Sequence, residues 1–316
     1  MRRCRDHSWL IKLIKVEENN IFKYAGEVEL IRSIMEKEKL KAVEKLKVAL
    51  EVLRISPQFF FLEARRRITG RSYYFNGIKI SDSSSFGVTY ELKKRASRFR
   101  LICGKNGYYL VDKKWNIKLF SPSFVMLRPV LYEDLLDLKV YQLSEKDIQN
   151  KRILDVGAYL GETSIAFSLM GAKRITAYEP VFYSVARRNL SINRIKNVEI
   201  RASGLWSENG YLHVKEEAEN TGKHMGALKI KVKSWLNLLK KEEFDLAKVD
   251  CEGCEKGLLS VPNRILRRVP LWVIAIHGDE LALINKFKNA GFTKEVVSRG
   301  LENIFRFEIE KNFRRE

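Results

Sequence analysis

Leu154-Asp155-Val156-Gly157-Ala158-Tyr159-Leu160-Gly161-Glu162-Thr163 is the stretch that decides how this chain folds. It starts as the end of a short apolar strand (residues 152–156), passes through a turn with two glycines, and enters a helix over residues 163–170. Gly157 and Gly161 lack the Cβ that would keep other atoms away from the backbone, which suits a loop lying against a ligand. Asp155 closes the strand, where a carboxylate orients loop N–H groups or accepts from a ligand ammonium. The spacing is D-x-G-x-x-x-G, not the G-x-G-x-x-G that wraps a dinucleotide pyrophosphate. A nicotinamide site is therefore the weaker reading.

Outward from this turn, strands and helices alternate. Residues 174–178 read as a strand and 181–193 as a helix; 198–202, 244–249 and 271–276 are further strands, and 281–289 a further helix. The β-rich runs 294–297 and 303–309 follow with little between them. This alternation predicts an α/β fold with a doubly wound, mostly parallel sheet covered on both faces. The closing pair predicts an antiparallel hairpin at one edge. Ligands of such sheets sit beyond the carboxyl ends of the strands. Glu179 lies there, 24 residues after Asp155, where a carboxylate can accept both hydroxyls of a ribose. Pro180 follows it, and Ser203-Gly204 gives the third strand a small turn suited to an adenine edge.

The N-terminal part reads differently. Leu30, Ile31, Ile34, Met35, Leu40, Val43, Leu46, Leu50 and Leu53 recur at three- and four-residue spacing, which predicts helix up to Pro57. The run Arg65-Arg66-Arg67 is read first as a solvated helix face, with a phosphate-contacting patch as the rival. Residues 71–124 suggest short strands, 81–85 a polar loop, and 131–143 a helix. The expected division is a basic, helical region over residues 1–100 and an α/β domain over 101–316.

At 45% hydrophobic residues the chain can bury a core and is not a disordered segment. Four scattered cysteines do not make a secreted disulfide framework, and no run of the sequence reads as a signal peptide or a transmembrane helix. A soluble protein of a reducing cytoplasm is the expectation. The formal charge of +20 suggests an anionic partner, because heat adaptation would enrich both signs together.

One further constellation carries chemistry: Lys248-Val249-Asp250-Cys251-Glu252-Gly253-Cys254-Glu255 at a strand end, with Ile274-Ala275-Ile276-His277 at the next. Cys251 and Cys254 have no second pair to complete a zinc site. Two small side chains packed in a tight turn is the favoured reading, a stabilising disulfide the alternative.

Together with the glycine turn, Thr163-Ser164 and Ala177-Tyr178-Glu179-Pro180, this constellation resembles the FkbM family of S-adenosylmethionine-dependent methyltransferases, from about Gly107 to the C-terminus. Ala275 stands where the family often carries a Glu. The resemblance implies a Rossmann-like class I methyltransferase with S-adenosylmethionine held by Asp155, Gly157, Ala158, Tyr159, Gly161, Thr163, Ser164, Glu179, Pro180, Ser203, Gly204 and Asp250. It implies O-methylation of a hydroxyl on a sugar, glycan or glycolipid. In that reaction Asp250, Glu252 and His277 are the expected catalytic group, with Asp250 as base or orienting residue. Glu252, Glu255 and His277 also leave a divalent cation open as a second cofactor. An RNA methyltransferase using the basic N-terminal region is the first alternative, although no named RNA-binding signature is present. A cofactor-binding protein without transfer activity is the second.

Overall fold

The computed structural model describes residues 47–214, 228–299 and 303–310, and the chain falls into two compact units that divide between Phe75 and Asn76. Residues 76–100, grouped by sequence with the N-terminal region, thus belong to the second unit. The apolar periodicity over residues 30–46 lies outside the described residues.

In the first unit, residues 47–55 are helical and α1 spans Pro57–Thr69. Ser56 caps α1, its Oγ accepting from Phe59 N at 3.2 Å, and Pro57 occupies the first turn, where its missing N–H costs nothing. Gly70, with φ of 71°, ends the helix. Buried Phe59 packs on Phe75 with ring centroids 4.7 Å apart. Glu63 is buried and takes Arg66 through both nitrogens of a fork, and Arg67 as well, each at 2.7 Å. Two of the three arginines in the basic run are therefore held by a carboxylate on their own helix.

The second unit is built on a seven-stranded sheet. Its strands are β6 (Arg152–Val156), β7 (Arg174–Tyr178), β8 (Val198–Arg201), β12 (Leu246–Val249), β13 (Leu271–Ile276), β14 (Phe292–Arg299) and β15 (Asn303–Ile309). In space the order is β14-β15-β13-β12-β6-β7-β8. Strands β8, β7, β6, β12 and β13 pair in parallel, whereas β15 pairs antiparallel with both β13 and β14. This is the predicted doubly wound sheet with an antiparallel edge, the Rossmann-like class I methyltransferase fold. The order reverses between β6 and β12, and the crevice at that switch point is where such sheets bind ligands.

Alternate residues of each strand feed two cores. Leu154, Val156, Trp272 and Ile274 pack on one face with Trp235, Phe287 and Phe307. Ile153, Val273 and Ala275 face the other side with Phe167, Leu138 and Tyr141. Burial on both faces is why these strands read as continuous apolar runs. Helices α5 (Glu162–Leu169), α6 (Tyr183–Ile192) and α9 (Glu280–Asn289) match the predicted positions within two residues.

Two expectations are corrected. The polar run 81–85 is the start of a helix, α2 (Ser83–Lys94), because Asp82 and Ser85 form a reciprocal capping box. The run 131–143 is not one helix. A short helix α3 (Arg128–Tyr132) gives way to single turns, broken where Asp134, Leu138 and Gln142 adopt φ near +50°. Leu135, Leu138, Tyr141 and Leu143 still all reach the core, so the apolar spacing was real but its cause was packing, not helix.

Antiparallel strands β3 (Phe99–Gly104), β4 (Gly107–Asp112) and β5 (Ile117–Ser121) form a second, smaller sheet. Buried Asn189 on α6 fastens β5 to the glycine turn, since its Nδ2 donates to Phe120 O and Leu160 O, both at 2.9 Å. A third sheet, of β9 (Gly204–Trp206), β10 (Gly210–Val214) and β11 (Leu228–Ser234), was not foreseen.

Candidate active site

Because β6, β7, β8, β12 and β13 run parallel, the segments after them collect at one edge, and every predicted site residue lies in or beside those segments. The glycine turn is fixed first by its backbone. Gly157 N and Ala158 N both donate to Tyr178 O, at 3.0 and 3.2 Å, and Asp250 N donates to Val156 O at 2.9 Å. The turn thus lies directly against the residue after β12. Gly157 has φ of +79°, and a Cβ there would sit 1.7 Å from the Asp250 carbonyl oxygen. Gly161 has φ of +86°, and its Cβ would crowd Ala186 of α6 at 3.3 Å. Glycine is required at both positions, which explains their spacing.

Glu179, buried after β7, ties the turn to the next helix. Its Oε2 accepts from Tyr159 N at 2.9 Å, and its Oε1 accepts from Val181 N and Phe182 N at 2.8 and 2.9 Å. Burial pushes its carboxyl above the ordinary range, against the pull of those N–H groups and of Lys248. Tyr159 stacks edge-on against Phe182 at 5.1 Å and donates its hydroxyl to Met126 O at 3.2 Å. Ser203 is buried, and a Cβ built on Gly204 would lie 3.8 Å from Pro180, so the second and third turns meet.

Asp155, Thr163 and Ser164 have a different place from the loop surface. All three are buried, and Asp155 Oδ2 accepts from Thr163 Oγ1 at 2.7 Å and Ser164 Oγ at 2.6 Å. Asp155 Oδ1 faces the Lys248 ammonium at 3.3 Å. Lys248 itself is buried in β12 and donates to Gly157 O at 2.7 Å. Burial alone would depress its pKa, but Asp155 first and then Asp250 outweigh that and keep it charged. Together these groups form an internal brace beneath the turn. Lys248 was legible as a charge in an otherwise apolar strand; its partner could not be read from sequence.

After β12, Asp250 Oδ2 accepts a hydrogen bond of 2.6 Å from Tyr141 Oη. Tyr141 is buried, and burial together with the Asp250 charge pushes its pKa well up, so the phenol stays the donor. The Asp250 side chain keeps 16% exposure, enough to meet a ligand, and its Oδ1 lies 3.9 Å from His277 Nε2. Glu252 is turned to solvent by a φ of 55°, its side chain 80% exposed, with Oε2 3.6 Å from His277 Nε2. Buried Glu255 braces both segments: its Oε1 accepts from His277 N and its Oε2 from Gly253 N, each at 2.9 Å. Among the described residues no three acidic, histidine or cysteine side chains converge to hold a metal ion. Tyr141 escaped sequence reasoning because it precedes Asp250 by 109 residues, with no local pattern to join them.

Cys251 and Cys254 form a disulfide, which corrects the expectation of two packed thiols. The tight turn through Glu252 and Gly253, both at positive φ, brings the two sulfurs together. At the opposite edge of the sheet a cleft of about 370 Å³ is lined by Arg152, Arg174, Lys241 and Arg268. There Arg152 pairs with Glu243 and Asp245, and Arg174 with Glu199, so much of its positive charge is already met. Among the described residues no helix is long and apolar enough to cross a membrane.

No family model matches the chain. The chain is 25% identical over 187 residues, 55% of its own length and 86% of the relative's, to the "Putative protein N5-glutamine methyltransferase" of Methanocaldococcus jannaschii. Among solved structures it is similar to the ribosomal protein L11 methylase of Lactobacillus delbrueckii subsp. bulgaricus, at 15% identity and a TM-score of 0.35 over 56% of this chain and 77% of that one. It is also similar to magnesium protoporphyrin IX methyltransferase of Synechocystis with bound S-adenosylhomocysteine, at 8% identity and a TM-score of 0.39 over 59% and 86%. The sheet order, the glycine turn against Asp250 and the curated relative agree: the chain is a class I S-adenosylmethionine-dependent methyltransferase.

Proposed function

We propose that this methyltransferase acts on a hydroxyl of a sugar, glycan or glycolipid, in the manner of the FkbM family that its motifs resemble. The observation that carries the reading is Asp250. It sits where the glycine turn meets β12, one oxygen held by the Tyr141 phenol and the other near His277. Methyl transfer to a hydroxyl needs the acceptor oxygen in line with methyl and sulfur, and a group to take the proton as the bond forms. A carboxylate oriented by a phenol and still partly exposed suits that task. In this scheme Glu179 and the turn hold the adenosyl part, while His277 and Glu252 line the approach to Asp250.

The relative from Methanocaldococcus jannaschii favours a second acceptor, a protein glutamine amide. An amide nitrogen also needs its hydrogen held by an acceptor, so Asp250 serves either substrate. Labelled methyl transferred into cell fractions separates them. Label in glycan or glycolipid supports the first reading, label in protein the second, and label in RNA overturns both. Asp250→Asn should lower single-turnover transfer about 10²–10⁴-fold, the range for a lost general base, with cofactor affinity little changed. Near-normal transfer by this variant would remove Asp250 from the reaction.

A further inference from the structure

The cofactor of this enzyme carries an α-ammonium, and the residue expected to receive it, Asp155, is already committed. Both of its oxygens face internal partners: the hydroxyls of Thr163 and Ser164 on one side, the Lys248 ammonium on the other. The neighbouring carboxyl is in the opposite situation. Glu162 opens α5, directly after Gly161, and is 1% exposed; its Oε2, like Asp155 Oδ1, has no hydrogen-bond partner. But where Asp155 Oδ1 meets the Lys248 ammonium at 3.3 Å, Glu162 forms no ion pair among the described residues. A buried, unpartnered carboxyl oxygen carries a desolvation cost that a bound ligand would relieve.

We propose that Glu162 is the residue that receives the cofactor's α-ammonium, with Asp155 acting as the brace beneath it. The inference rests on the cofactor assignment above. The charged groups that act on Glu162 are Lys248 on β12, Asp155 on β6 and Glu179 after β7, and the neutral Tyr159 phenol of the glycine turn lies close enough to feel its charge. Once Glu162 gives up its proton, three carboxylates face one cation, which leaves room for a second. A Glu in the first turn of a helix is usually read as a favourable charge at the positive end of the dipole. Complete burial is what separates this one from that ordinary role.

The chemistry gives the contact a signature. Burial, partly offset by its own backbone N–H and by Lys248, raises the Glu162 carboxyl to about 8. In the free enzyme at pH 7 it is therefore about nine-tenths protonated. An ammonium stabilises the carboxylate, so binding must expel that proton. Affinity then rises with pH below about 8, approaching tenfold per unit, for as long as the ligand amine keeps its own proton. If Glu162 instead donated its proton to the cofactor's carboxylate, binding would release none.

Titration calorimetry of the full chain with S-adenosylhomocysteine, between pH 6 and 7.5 in two buffers of different protonation enthalpy, reads the proton count directly. 5′-Methylthioadenosine, which lacks the amino-acid end, is the companion probe. The expected result is release approaching one proton at pH 7 for S-adenosylhomocysteine and none for methylthioadenosine. Glu162→Gln should abolish the pH slope and weaken S-adenosylhomocysteine about 10–100-fold, while methylthioadenosine binds as before. Binding without proton release, an unchanged slope in Glu162→Gln, or the same slope for both ligands would overturn the proposal and leave the cofactor assignment standing. Failure of the wild type to bind either ligand would overturn both. Should Glu162→Gln not fold, the wild-type proton count for the two ligands decides the matter.

Discussion

Replacing Gly157 with alanine tests how the glycine turn and the segment after β12 depend on each other. At φ of +79° an alanine is held in the left-handed region, at a cost of about 1–2 kcal/mol. Its Cβ would lie 1.7 Å from the Asp250 carbonyl oxygen, 2.7 Å from the carbonyl carbon and 3.1 Å from Cys251 Cα. All three are backbone atoms. The segment that carries them is tied by Asp250 N to Val156 O and by the Cys251–Cys254 disulfide, so it cannot simply swing aside. The turn has to retreat by more than an ångström, which breaks the bond from the Lys248 ammonium to Gly157 O. A charge-assisted bond of that kind contributes about 1.5–3 kcal/mol. Strain and lost bond together predict a destabilisation of about 3–5 kcal/mol, or a Tm lower by about 6 °C or more. If Asp250 acts on the acceptor as proposed, a misplacement of that size should also slow single-turnover transfer about 10²-fold. The assay is thermal melting combined with calorimetry of S-adenosylhomocysteine and single-turnover transfer on one preparation. Gly210→Ala is the control, because its Cβ would meet nothing within 4 Å and its φ is not positive. A Gly157→Ala protein with wild-type Tm and cofactor affinity would refute the close approach of the two segments.

Lys248→Met should keep the volume of the side chain but leave Asp155 buried without its cation, costing about 3–5 kcal/mol in denaturant melts. A loss below about 1 kcal/mol would mean that the brace is not as described. Tyr141→Phe should fold normally and bind cofactor as the wild type does, yet transfer methyl about tenfold more slowly or worse, because Asp250 loses a hydrogen bond to its charged form. Equal rates for Tyr141→Phe and wild type would show that the phenol does not orient Asp250.

Much of this architecture was readable along the chain. Buried parallel strands are apolar on both faces, so Ile153-Leu154 and Trp272-Val273-Ile274 announced themselves as strands without any partner being known. Glycine spacing fixed the turn, since positive φ and close approach leave no other residue at 157 and 161. A strand direction common to β6, β7, β8, β12 and β13 then placed Glu179, Ser203, Asp250 and His277 at one edge. Those features are local, or follow from a rule about sheets.

Tertiary structure decided what periodicity does not record. Residues 131–143 have helical spacing but make separate turns, because their apolar side chains follow the surface of the sheet, not a helix axis of their own. Asp155 and Glu162 are two acids seven residues apart; only packing made one a brace and left the other with an unpartnered oxygen. Tyr141 reaches Asp250 across 109 residues, and Cys251 meets Cys254 because the turn between them bends at positive φ. The sequence by itself determined which residues stand at the carboxyl edge, because backbone periodicity is a local property. Which of them face each other, which stay charged and which keep an oxygen for a ligand depends on burial, and burial is set only when distant segments pack.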